Sequence, residues 1–187
     1  DLEEGNDAAR RLLGHAASMN NMKPTVFIFV GHSGSGKTTL VEKLLPELTL
    51  RRLNVATIKH AHHKVELDKE GKDSWRYKNA GASMSMLVTT DALQLVADAV
   101  DRREPHQLAE RFLGEADLVL AEGFSLAPGD KIEILRRECG KPPRCTVADG
   151  LIAVVTDMDE IYPELPHFAL DDVFGLADFL LARKGAL

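Results

Sequence analysis

The sequence predicts an α/β protein whose mostly parallel sheet is covered by helices on both faces and carries a small β-hairpin insertion. Three observations predict it. Val26-Phe27-Ile28-Phe29-Val30 and Leu151-Ile152-Ala153-Val154-Val155 are unbroken β-favouring runs, the pattern of strands buried on both faces. Leu40, Val41, Leu44, Leu45 and Leu48 recur at helical spacing directly after the first run. Strands and helices then alternate to the end of the chain, which is the pattern of a layered α/β domain.

The elements follow in order. The first strand ends at Gly31, and after a glycine-rich loop a helix is expected over 37–52, kinked where Pro46 removes a backbone donor. Val55-Ala56-Thr57-Ile58 makes a second strand and completes a βαβ unit with a right-handed crossover. Residues 59–72 are polar and aperiodic and read as a long, switch-like loop. Asp73 is expected to cap a short helix ended by Gly81. A hairpin follows, with strands over 84–88 and 92–96 and a turn at Thr89-Thr90-Asp91. A helix over 105–113, strands over 117–121 and 131–136, a surface loop over 137–149 and a last helix starting at Asp171 complete the reading. Residues 22–187 form one domain, with 59–100 as its small β subdomain. Residues 1–21 read as an N-terminal extension before a natural start at Met22, non-native or disordered, its one pattern a helix around 8–17.

Bulk properties narrow the function. With 23 basic and 29 acidic residues the net charge of -6 offers no global field for nucleic acid or an anionic membrane, so an anion site has to be built locally. No apolar run approaches the roughly 20 residues of a membrane span. A soluble, cytoplasmic protein is expected. Cys139 and Cys145 match neither a zinc knuckle nor a redox pair.

The local anion site is residues 31–38, Gly-His-Ser-Gly-Ser-Gly-Lys-Thr, which fit the phosphate-loop pattern between a strand and a helix. Glycines let consecutive N–H groups face inward, and the helix N-terminus aims its positive end at the same hollow. Gly31, Ser33, Gly34, Ser35, Gly36, Lys37, Thr38 and Thr39 are the expected nucleotide contacts. Lys37 reaches the β and γ phosphates and Thr38 ligates Mg²⁺. The metal needs a second anchor, and Glu122 ends a strand at the sheet edge where ligands of parallel sheets collect. Lys37 and Glu122 are therefore the catalytic candidates, against a solvated loop acid for Glu122. Asp68 is a third metal candidate, acting through water from the switch-like loop. Asp157, after the strand 151–155, is either a base-reading acid or a plain strand terminator. Lys59 and His60 face nucleotide or substrate, or solvent. His60, His62 and His63 lack the partner spacing of a zinc site. Trp75 reads as core or interface.

Several separated segments together resemble the molybdopterin-guanine dinucleotide biosynthesis protein B family. They are GHSGSGKTTL at 31–40, IKHAHH at 58–63, DKEGKDSWR at 68–76 with Ala80-Gly81-Ala82, LVLAEGF at 118–124, Lys131-Ile132-Glu133 before Arg136, and DVFGLADF at 172–179. Ser125 departs from the lysine the family commonly carries after Glu-Gly-Phe, and residues 1–21 have no counterpart. The resemblance implies a P-loop NTPase fold and a GTP-binding accessory protein with weak Mg²⁺-dependent GTPase activity. It also implies a homodimer that assists a molybdopterin guanylyltransferase and meets molybdopterin-carrying proteins, without nucleic acid or membrane. Slow turnover agrees with the absence of a recognisable in-line arginine or glutamine. The residues alone also allow a small-molecule kinase, or an adaptor gated by nucleotide without significant hydrolysis.

Overall fold

The computed structural model describes residues 23–61, 65–98, 104–159 and 161–186; the helix expected around 8–17 and His62 and His63 lie outside the described residues. Strand β1 (Thr25–Val30) is the centre of the molecule, with Phe27, Ile28 and Phe29 fully buried. Its side chains alternate between two cores. Phe27 and Phe29 pack with Leu40, Leu44 and Leu48 of helix α1 (Lys37–Leu50) and with Leu176 and Leu180 of helix α4 (Val173–Gly185). Val26, Ile28 and Val30 pack on the other face with Ala109 of helix α3 (Pro105–Phe112). An apolar run without polar alternation is what a strand covered on both sides requires.

The main sheet has six strands in the order β2-β5-β1-β6-β7-β8, every neighbouring pair parallel. The remaining members are β2 (Val55–Lys59), β5 (Leu118–Glu122), β6 (Lys131–Leu135), β7 (Leu151–Thr156) and β8 (His167–Phe168). β5 inserts between β1 and β2, so the two strands of the opening βαβ unit are not neighbours. Helix α1 runs through Pro46 without ending. Its C-terminus is fastened by Arg51, which pairs with Glu47 at 2.7 Å and with Asp178 of α4.

Three local expectations need correction, and one short strand was not foreseen. Asp73 is the first residue of helix α2 (Asp73–Asn79) rather than its cap; the cap position is the extended Lys72. Helix α4 begins at Val173 rather than at the expected Asp171, and its cap is Asp172, whose Oδ1 accepts the Gly175 N–H at 2.9 Å. Residues 137–149 are not simply a surface loop: they form 3₁₀ turns at Arg137–Cys139 and Val147–Asp149 and bury Cys145 in the core. β8, only two residues long, was too short to carry a pattern.

The hairpin stands apart from the main sheet as β3 (Met84–Val88) and β4 (Leu93–Ala97), antiparallel. Its turn closes with the Thr89 N–H donating to Ala92 O at 2.8 Å. The cross-strand pairs Met84↔Ala97, Met86↔Leu95 and Val88↔Leu93 share one face. That face is apolar throughout, yet Met86, Val88 and Leu93 are 58%, 67% and 66% exposed.

Candidate functional site

The loop after β1 turns where the sheet leaves least room. Gly31 has φ 145°, and a Cβ there would lie 2.6 Å from Ile134 O of β6 and 2.7 Å from Ser35 Oγ. Any side chain would push the loop off the sheet. Gly36 caps α1 in the left-handed region, and no side chain caps the helix or places an acid in its first turn. The positive end of α1 is thus left to whatever anion the loop receives. Lys37 Nζ arches back over the loop and donates to Gly31 O at 3.0 Å and His32 O at 2.7 Å. Burial holds its pKa below the ordinary lysine value, with Glu122 opposing that shift. Ser35 is buried, its hydroxyl without a hydrogen-bond partner among the described residues, whereas Ser33, Thr38 and Thr39 are exposed.

Glu122 ends β5 with Phe29 of β1 on one side and Lys59 of β2 on the other. Thr38 Oγ1 donates to Glu122 Oε2 at 2.8 Å. Lys59 Nζ completes the group, 3.1 Å from Thr38 Oγ1 and 3.3 Å from Glu122 Oε1. One hydroxyl and one carboxylate are hard oxygen donors, and among the described residues no cluster of three or more His, Cys, Asp or Glu forms a closed metal cage. That donor set fits Mg²⁺, which keeps waters and shares its shell with phosphate. Beyond Glu122, Phe124 is held at φ 51° with its ring 5.0 Å from that of His60. A non-glycine residue in this region stores strain, a frequent property of binding loops.

Two expected site residues lie elsewhere in the hydrogen-bond network. Asp68 Oδ1 accepts from Ser74 Oγ at 2.9 Å, and the residue lines a cleft with Leu67, Lys72 and Gln94, away from Thr38 and Glu122. Its Oδ2 is buried without a partner among the described residues. Asp157 Oδ1 accepts the Arg137 N–H at 2.8 Å and so holds the turn after β6. Trp75 is partly buried on α2.

Two residues that the sequence offered only as part of the family pattern, with no role attached, come next to the site or into the core beside it. Arg136 lies beside the loop, its Nε 3.8 Å from where a Cβ on Gly36 would stand. Glu133, 0% exposed on β6, accepts the N–H groups of Arg144 at 2.6 Å and Cys145 at 3.1 Å. Burial pushes its carboxyl pKa up, and the two backbone hydrogen bonds oppose the rise. The legible signal was a glutamate between two isoleucines in the strand Lys-Ile-Glu-Ile-Leu.

A glycine loop at the end of the central strand of a parallel sheet, with a lysine and a threonine opening the next helix, defines a protein of the P-loop NTPase fold. The profile of the family described as "Molybdopterin guanine dinucleotide synthesis protein B" matches residues 26–157. The chain belongs to that family. It is 42% identical over 167 residues to the molybdopterin-guanine dinucleotide biosynthesis adapter protein of Haemophilus influenzae, covering 87% of this chain and 90% of the relative. It is 36% identical to the protein of the same description from Escherichia coli, covering 82% of this chain and 89% of that one. Among solved structures, a molybdopterin-guanine biosynthesis protein B superposes with a TM-score of 0.65 at 31% identity, over 85% of this chain and 98% of the other. Bacillus subtilis MobB gives 0.63 at 32% identity, over 85% and 96%.

Proposed function

We propose that this chain is a Mg²⁺-dependent GTP-binding adapter of molybdopterin-guanine dinucleotide biosynthesis, assisting a partner guanylyltransferase and turning GTP over slowly. The observation that carries the reading is the convergence of Lys37, Thr38 and Glu122 at the open positive end of α1. Lys37 exchanges its contacts with Gly31 O and His32 O for phosphate oxygens, as charge-assisted bonds to phosphate are the stronger ones. Thr38 and Glu122 hold the metal, which supplies neutralisation of phosphate charge, and Lys59 moves from between them. The adapter role is supported by the names of the relatives, which align along most of the chain. Asp157 is the proposed base-reading acid. Asp68 reaches the metal only if the segment 65–72 moves toward the loop, since Ser74 holds it elsewhere.

A homodimer is part of the same proposal, and the apolar face of the β3–β4 hairpin supports it. A two-stranded hairpin is marginal alone in water, and an exposed contiguous apolar face marks an interaction surface. A second copy presents the same face and covers it symmetrically. Molybdopterin-carrying proteins are proposed as further partners.

Calorimetric titration of the full chain with GTP and ATP, each with and without Mg²⁺, tests the reading. GTP is expected to bind tighter than ATP and to need the metal. Equal affinity for ATP would sink the guanine part, and no binding of either would sink the nucleotide part. Label from GTP recovered on a small acceptor, without a partner protein, would make the chain a kinase instead.

A further inference from the structure

Glu133 has no part in the scheme above, yet it is a fully buried carboxylate between Val30 of β1 and Val154 of β7. A carboxylate in such a place is costly unless its oxygens are used. Both are used, by the consecutive backbone N–H groups of Arg144 and Cys145. The same short segment is fastened at two further points. Tyr162 Oη donates to Cys145 O at 2.6 Å, and Pro142 O lies 2.9 Å from His32 Nε2 of the phosphate loop. Residues 142–145 therefore form an arch gripped from the sheet by Glu133, from the 161–165 segment by Tyr162, and resting on the loop beside Gly31.

The arch presents one charged side chain to the site. Arg144 Nη2 points at Ser125 Oγ, a long 3.5 Å contact, and Ser125 stands three residues beyond Glu122. The guanidinium makes no other hydrogen bond or ion pair among the described residues, which leaves most of its five donors for a ligand. Burial and, to a lesser degree, the Arg144 charge hold the Lys37 pKa below the ordinary lysine value. Direction along the loop is settled by its other arginine. Arg136 lies on the Gly36 and Thr39 side, whereas the arch meets His32 through Pro142 O and its Arg144 faces Ser125, three residues past Glu122. On the nucleotide reading, Thr38 and Glu122 would hold the metal, and the terminal phosphate would lie on their side of the loop.

We propose that Arg144 binds the terminal phosphate of a bound nucleoside triphosphate, and that Glu133 is the positioning residue that holds it there by gripping the backbone of the arch. The proposal rests on the nucleotide reading above. It accounts for a buried carboxylate whose hydrogen-bond partners among the described residues are two adjacent backbone amides. It also places a cation beside Ser125, where the side chain of the chain itself carries none.

The test is the affinity of the full chain for a non-hydrolysable GTP analogue and for GDP, with Mg²⁺, in wild type, Arg144→Ala, Arg144→Lys, Glu133→Gln and their combination. Arg144→Ala is expected to weaken the analogue about tenfold while GDP changes by less than about twofold, and Arg144→Lys to recover part of the loss. Glu133→Gln is expected to move the same ratio in the same direction and to add nothing once Arg144 is gone, the sign of coupled residues. Should Glu133→Gln fail to fold, Tyr162→Phe loosens the arch from its other side and is read the same way. Equal loss for the analogue and GDP, or no loss for either, overturns the role of Arg144; full additivity overturns that of Glu133. Wild type binding neither nucleotide overturns the nucleotide reading itself, a failure visible before any variant is made.

Discussion

The loop end of the sheet and the β3–β4 hairpin are opposite solutions to the same problem of what a chain excursion does with its side chains. At the loop, polar groups are drawn together and satisfied at hydrogen-bond distance, with Thr38, Glu122 and Lys59 forming a closed triangle. At the hairpin, apolar groups are drawn together and left in water. The first arrangement is set up to trade internal hydrogen bonds for those of a small anion; the second gains only by covering itself with another apolar surface. Stability, nucleotide affinity and self-association are therefore expected to separate by region.

The largest effect tests the stability half of that separation. Leu44→Ala opens the core under the loop and is expected to cost about 2–5 kcal/mol, whereas Leu93→Ala on the exposed hairpin face should change monomer stability by about 0.5 kcal/mol or less. Denaturant melts at concentrations where the protein is monomeric compare the two. Next, Lys37→Ala should lose about 2–5 kcal/mol of GTP affinity, at least roughly thirtyfold, with the far-ultraviolet spectrum and the oligomeric state unchanged. Val88→Asp on the hairpin is expected to do the converse, dissociating the dimer in sedimentation runs while GTP affinity stays within about twofold. A hairpin variant that lowers affinity as much as Lys37→Ala would end the separation. Thr38→Val should weaken the Mg²⁺ dependence of binding by about tenfold, measured by titrating metal at fixed GTP.

The smallest effect is on pH. Hydrogen bonds from the Thr146 hydroxyl and N–H hold the Asp149 carboxyl below its ordinary 3.8. Its stabilising contribution is therefore present above 3.8 and lost as the pH falls further. Thr146→Val should flatten only that acid limb of the melting curve. Stability should be slightly lower than wild type at neutral pH and converge with it at the acid end; an equal loss at every pH would contradict the assignment.

Much of this contrast was readable before the structure, and what was not has a common cause. The glycine loop, Lys37 and Thr38 are contiguous, and Glu122 ends an apolar run, so local pattern sufficed to put them at one end of the sheet, where Thr38 and Glu122 meet. The runs that became β1, β5 and β7 were legible because burial on both faces writes itself into sequence as unbroken hydrophobicity. Strand order was not legible, since β2 pairs with β5 across some sixty residues rather than with β1. Asp73 was expected as a cap and Asp171 as a helix start, but where a helix begins within a residue or two depends on backbone angles. Glu133 and Arg144 are eleven residues apart and meet only through the arch, so nothing in their spacing announces the pair.

The strand order also sets a schedule. Thr38 and its partner Glu122 are separated by 84 residues, because the strand that completes the site is inserted beside β1 only after the hairpin and α3 have been made. At a synthesis rate of about 5–20 residues per second, the phosphate loop waits about 4–17 s for its carboxylate, and longer for the arch. On the nucleotide reading proposed above, a ligand that needs both Thr38 and Glu122 would lock a nearly finished domain late rather than nucleate its collapse.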